Sequence, residues 1–177
     1  MTKLASIAAG LLFAAAPLCA AQGTAAAPPI DCSWLTVDTT AKIATFQLTS
    51  GLTQLNGGLN FNGFNDGKLT LTVPANWTVV IQFVNKDPNL PHSAEVVDTL
   101  KPMPAGPVEP PAFARAMTQR LMLGLGSNAT DTVRFVANKA GSYMIFCGVP
   151  GHGLAGMWIR LKVSATEKRP TLTSSAT

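Results

Sequence analysis

From Trp34 onward the chain alternates, and that alternation limits what it can become. Lys68-Leu69-Thr70-Leu71-Thr72-Val73 puts Leu, Leu and Val on one side of an extended backbone and Lys, Thr and Thr on the other. Lys42 to Thr49 keeps the same period. Trp77 to Val84, His92 to Val97, Asp131 to Ala137, Ser142 to Cys147 and Met157 to Val163 are rich in Val, Ile, Thr and aromatic residues. Turn-forming residues separate these runs: Gly57-Gly58 and Asn62-Gly63 around Leu59-Asn60-Phe61, then Pro74-Ala75-Asn76, then Asn85-Lys86-Asp87-Pro88-Asn89. About eight strands at this spacing, with no long helices between them, predict an all-β sandwich or barrel.

Residues 100–127 interrupt the pattern. Lys101-Pro102-Met103-Pro104-Ala105-Gly106-Pro107 reads as loop. Pro110 to Met122 then carries Phe113, Met117 and Leu121 near helical spacing, with Pro111 suited to a first turn. The expectation is a short helix in an inserted segment that covers one edge of the sandwich.

Composition narrows the function classes. Charged residues are 12% of the chain, about half the usual share. Hydrophobic residues are 47%, which excludes a disordered chain. A helical bundle would need more Lys and Glu on its exposed faces. The net charge of +4 comes from scattered basic residues, with no cluster beyond Lys168-Arg169, so no nucleic-acid partner is expected.

The first residues read as a targeting segment. Lys3 precedes an apolar run from Leu4 to Ala16, and Cys19-Ala20-Ala21 offers small residues before Gln22. Ala25-Ala26-Ala27 before Pro28 is a second possible cleavage point. A retained membrane anchor stays open as the alternative, because no charge lies between Lys3 and Asp31. Pro17, Gly23, Pro28 and Pro29 make the stretch a poor spanning helix. Ala16-Pro17-Leu18 ahead of Cys19 is the wrong order for a lipoprotein. The expected division is a signal peptide over 1–21, a linker over 22–30, one domain over 31–164 and a flexible polar tail over 165–177. Loss of Lys3 takes one from 13 basic residues against 9 acidic, a net charge near +3. Export permits disulfides, and Cys32 and Cys147 would be the obvious pair in the mature chain.

The chemistry-bearing residues argue otherwise. Cys147, His152 and Met157 follow one another as Cys-x4-His-x4-Met on a loop rich in Gly and Pro. Such a loop can bend until all three donors face one point. Upstream, His92 sits at the start of a strand after Pro91. Two His, one Cys and one weak thioether form the donor set of a mononuclear blue-copper electron-transfer site. The chain contains only two histidines, and both fall where this site needs them. Taken singly, each has an ordinary reading: a surface His, a core Met, a buried or disulfide-bonded Cys. Zinc disfavours Met as a structural ligand. A binuclear copper site would need a second Cys in the loop, and a multicopper oxidase more His. A Cys-His hydrolase would need a third orienting group.

Phe146-Cys147-Gly148-Val149-Pro150-Gly151-His152 with Gly156-Met157-Trp158 resembles the copper-binding signature of sulfocyanins, and more loosely that of rusticyanin. Leu59-Asn60-Phe61-Asn62-Gly63 and Leu90-Pro91-His92-Ser93 are similar to other sulfocyanin segments, so the resemblance covers roughly residues 55–164. It implies a Greek-key cupredoxin fold, one type 1 copper cycling between Cu(I) and Cu(II), and electron transfer outside the cytoplasm. It carries over His92, Cys147, His152 and Met157 as the ligands. Archaeal sulfocyanins are typically membrane-anchored, which keeps N-terminal membrane association open here.

If Cys147 is a copper-bound thiolate, Cys32 is an odd cysteine: buried, paired with Cys19 in an uncleaved chain, or linking two chains. Ser93, directly after His92, is placed to bridge the His92 strand to the Cys147 loop. Phe146, Val149, Pro150, Leu154 and Trp158 would surround the metal with apolar surface, disfavouring the more charged Cu(II) and raising the reduction potential. The expected function is a monomeric one-electron carrier between redox protein partners. The alternative is a copper storage or delivery protein, to which Met103, Met117 and Met122 lend slight support. Enzyme activity is not expected, since no acid–base residue accompanies the donors.

Overall fold

A computed structural model describes residues 29–175. The expected signal peptide, and residues 22–28 of the expected linker, lie outside the described residues. A short 3-10 turn, Cys32–Trp34, leads into nine strands: β1 (Leu35–Asp38), β2 (Ile43–Ser50), β3 (Leu69–Pro74), β4 (Thr78–Asn85), β5 (Glu95–Asp98), β6 (Thr130–Val136), β7 (Gly141–Phe146), β8 (Trp158–Ser164) and β9 (Thr171–Ser174). They form two sheets, ordered β1-β2-β4-β6 and β5-β7-β8-β3-β9. Pairing is antiparallel except for β2 with β4 and β3 with β8. The result is the Greek-key β-sandwich expected from the sequence. Among the described residues no helix is long and apolar enough to cross a membrane.

Alternation places the core. β2 and β4 bury every second residue, Ala44, Phe46 and Leu48 on one and Val79, Ile81 and Phe83 on the other. These meet Leu69, Leu71, Val73, Ile145, Ile159, Leu161 and Val163 of the second sheet in one apolar cluster. The loop from β4 to β5 and the loop from β7 to β8 both leave the same end of the sandwich. His92 lies on the first, and Cys147, His152 and Met157 on the second.

Two expectations are corrected. Residues 110–122 hold no helix. The segment runs along the free edge of β5 and exchanges backbone hydrogen bonds with that strand and the stretch before it. Ala112 N–H donates to Val96 O, Val96 N–H to Ala116 O, and Thr118 N–H to Ala94 O, each at 2.8 Å. Those bonds occupy the groups a helix would have used internally, and the open strand edge wins them. The segment does cover an edge, as expected. Phe113 reaches between the sheets, stacking on Phe135 at 5.2 Å and meeting Tyr143 at 4.7 Å. The tail is not loose throughout either. Thr171–Ser174 pairs with β3 and buries Leu172, so the domain continues past residue 164.

Candidate metal centre

The β7–β8 loop is closed by its own backbone. Cys147 N–H donates to Met157 O at 3.1 Å, Met157 N–H to His152 O at 3.0 Å, and His152 N–H to Val149 O at 3.1 Å. Each candidate donor in this loop is therefore fixed relative to the next before any metal binds. Phe146, the last residue of β7, packs its ring directly beneath Gly153, where a side chain of any size would overlap it. That glycine lets the loop fold flat over the aromatic floor.

His92 arrives from the other loop. It is pinned by backbone bonds in both directions with Leu125, at 3.1 and 2.7 Å, so the inserted segment holds it in place. Its ligand atom and those of Cys147 and His152 all lie within 4.8 Å of one another. Cys147 Sγ stands 3.6 Å from His152 Nδ1, and the two imidazole rings are 5.1 Å apart. His92 and Cys147 are fully buried, and His152 is half-buried. Met157 is also fully buried, in the same apolar cluster as Cys147. Cys32 lies exposed with no disulfide among the described residues, and Cys147 is likewise unpaired.

The donors suit a metal ion. His92 Nδ1 is buried with no hydrogen-bond partner among the described residues. An orphaned buried nitrogen is costly unless a ligand satisfies it. Burial pushes the Cys147 thiol up, opposed by hydrogen bonds from Ser93 and Val149, so a thiolate there requires a cation beside it. Burial also pushes both imidazoles below the usual His range, and repulsion from His92 adds to this at His152. Neutral imidazoles are the form that binds metal.

Ser93 performs the expected bridging. Its Oγ accepts from Gly148 N–H at 3.1 Å and donates to Leu121 O at 2.8 Å, while its N–H points at Cys147 Sγ at 3.5 Å. One residue thus ties the His92 loop, the Cys147 loop and the inserted segment together. Leu154 and Pro150 depart from expectation. Leu154 is 56% exposed and Pro150 is exposed as well, so both lie on the surface beside the site.

Two carboxylates that carry no functional signal of their own in the sequence stand beside the site. Asp87 Oδ2 lies 3.2 Å from His92 Nε2. Burial works against its charge, but N–H groups of Asn89 and Leu90 and the contact with His92 outweigh it and hold the carboxyl below its ordinary range. Glu95, three residues past His92, is buried beside Gly148 and accepts from Val108 N–H at 3.0 Å. Burial, with a smaller push from Glu109, raises its carboxyl to about 7 against the opposing Val108 bond. Asp87 carried only a turn signal, and Glu95 only its place on an alternating strand.

The family model for the sulfocyanin (SoxE) domain matches residues 33–173. Sulfocyanin from Sulfolobus acidocaldarius is 31% identical over 117 residues, which cover 63% of this chain and 58% of that protein. The chain thus matches less than two thirds of that relative's length. Among solved structures, auracyanin A, a blue copper protein from the green thermophilic photosynthetic bacterium Chloroflexus aurantiacus, aligns with a TM-score of 0.51 and 26% identity, over 69% of this chain and 99% of that one. Rusticyanin from Thiobacillus ferrooxidans aligns with a TM-score of 0.47 and 20% identity, over 74% and 86%.

The buried Glu95 yields a pH signature. Between the ordinary Glu value of 4.5 and about 7, the folded protein keeps a proton that the unfolded chain has released. Folding therefore loses stability as pH rises through that window. Glu95→Gln stays neutral and lacks this slope. In denaturant unfolding of the metal-free protein, the variant should gain on wild type from pH 4.5 to 7, by on the order of 3 kcal/mol. Parallel stability curves would place the Glu95 carboxyl in its ordinary range.

Proposed function

Since the chain belongs to the sulfocyanin family, we propose that it is a one-electron carrier working outside the cytoplasm, in which His92, Cys147, His152 and, more weakly, Met157 would hold one copper. The single observation that carries this reading is the His92–Cys147–His152 cluster, with its buried, orphaned His92 Nδ1. Bound there, copper would supply a one-electron Cu(II)/Cu(I) couple.

The protein's own residues do the rest. Cys147 gives up its thiol proton on metal binding and keeps its sulfur aimed by Ser93 N–H. His92 and His152 present neutral nitrogens from two different loops. The backbone clasp from Cys147 to Met157 fixes the spacing of three donors, so little rearrangement should accompany a change of charge. Apolar residues around Cys147 keep water away and favour the less charged Cu(I), which supports a high reduction potential.

Burial of the donors supports a carrier over a storage or delivery protein, whose exchangeable ligands should be open to solvent. Of the three extra thioethers, Met103 packs against the Val97, Met144 and Phe146 cluster, while Met117 and Met122 are exposed. Half-buried His152 is the route by which an electron enters or leaves. Leu154 beside it is exposed, and Val149 and Pro150 also flank it without charge. Redox partners would dock on this small uncharged face, where brief close approach matters more than affinity.

Two measurements test this reading. Met157→Gln replaces a weak thioether with a harder oxygen donor that prefers Cu(II). Voltammetry should show the potential falling by at least ~59 mV, the equivalent of a tenfold change for one electron, while colour survives. An unmoved potential would remove Met157 from the set of copper ligands. Leu154→Glu places like charges opposite one another in the self-exchange complex. Self-exchange measured by NMR line broadening should slow about tenfold, equivalent to about 1.4 kcal/mol, with spectrum and potential near wild type. An unchanged rate would mean electrons cross another face.

A further inference from the structure

Asp87 is held with more care than a turn residue needs. Its own N–H donates to Asn85 Oδ1 at 2.9 Å. Asn85 also accepts from Ser50 Oγ at 3.1 Å, and its Nδ2 donates to Leu90 O at 2.9 Å and Leu125 O at 2.8 Å. Ser50 and Asn85 are fully buried, and Asp87 nearly so. Gly51 and Gly58 form a cradle over it. A Cβ on Gly51 would stand 2.6 Å from Asp87 Cβ, and one on Gly58 would overlap Asp87 Oδ2. Both glycines also have positive φ, +63° and +89°.

The two carboxylate oxygens have separate tasks. Oδ1 accepts from Asn89 N–H at 2.8 Å and Leu90 N–H at 2.9 Å. Oδ2 faces His92 Nε2 at 3.2 Å. An ionised carboxylate only accepts, so His92 Nε2 must carry the hydrogen and Nδ1 must be bare. Nδ1 is the nitrogen without a partner.

We propose that Asp87 is the positioning residue of the metal centre: it locks His92 in the Nε2–H form and so turns the Nδ1 lone pair toward the copper. The proposal rests on the copper reading above. It also explains why a carboxylate, and not an amide, occupies this place. Asparagine has one accepting oxygen and one donating NH2. If its oxygen stays with Asn89 and Leu90, its NH2 opposes His92 Nε2 and drives the ring hydrogen to Nδ1, where metal must bind. If the amide turns over, its NH2 opposes two backbone N–H groups. Neither arrangement satisfies both sides. Aspartate also leaves a buried negative charge one imidazole away from the metal, which favours Cu(II).

The chain has only two histidines, so the tautomer of each can be read directly. Long-range 1H–15N correlation spectra of the metal-free wild-type protein, in mildly alkaline buffer and assigned with His152→Gln, should show His92 protonated at Nε2. In Asp87→Asn the hydrogen should move wholly or partly to Nδ1. The affinity for Cu(I) should fall at least tenfold. The affinity for Cu(II) should fall a further tenfold, which raises the potential by 59 mV. Wild-type His92 protonated at Nδ1 overturns the proposal whether or not the variant folds. A folded Asp87→Asn protein with unchanged tautomer and copper affinities also overturns it. The tautomer is read without metal, so it tests the role of Asp87 separately from whether copper binds, which titration of the wild-type protein reports.

Discussion

Everything at the functional end of this protein depends on holding His92 and Cys147 out of water, beside a half-buried His152, before a metal arrives. His92 and Cys147 are buried and His152 half-buried, in the wedge where two loops leave the sandwich. Burial of this kind is unfavourable for a lone imidazole nitrogen or a thiolate. The chain tolerates it because the surrounding backbone is over-determined. Bonds among Cys147, Val149, His152 and Met157 close one loop, and reciprocal bonds to Leu125 hold His92 in the other. The stability of the β-core is thus used to hold donors in a geometry they would not choose alone.

The inserted segment is part of that restraint and not an ornament on the sandwich. It zips along the edge of β5, fills the gap between Phe135 and Tyr143 with Phe113, and then supplies Leu121 O to Ser93 and Leu125 to His92. Removing the edge of a sheet from solvent and bracing His92 are accomplished by one stretch of chain. The same stretch brings Val108 N–H to Glu95, which leaves a buried carboxyl within the shell of the site.

The candidate donors stand out in the sequence because their chemistry is scarce, and the structure brings His92, Cys147 and His152 together. A chain with two histidines and a Cys-x4-His-x4-Met loop leaves few other readings, and strand alternation gave the sandwich around it. Residues 110–122 misled for a physical reason: Phe113, Met117 and Leu121 fit a helical period, but the segment's hydrogen-bond partners lie on β5, a competitor no local pattern reveals. β9 was missed because a short polar strand with one buried Leu172 resembles a tail. In the sequence Asp87 looks like punctuation, since an Asx turn accounts for Asn89 and Leu90 through Oδ1 alone. Only the position of Oδ2 against His92 shows its second task.

A copper site built on the Cys147 thiolate and both histidines has a spectral signature of its own. The most direct test is the visible absorption spectrum of the copper-loaded protein beside that of Cys147→Ser, with metal content measured on both. The wild-type chain should bind one copper and show an intense blue thiolate-to-Cu(II) band that disappears in Cys147→Ser even if copper stays bound. A wild-type protein showing only the weak colour of nitrogen- and oxygen-ligated Cu(II), or a Cys147→Ser protein that remains blue, would contradict it.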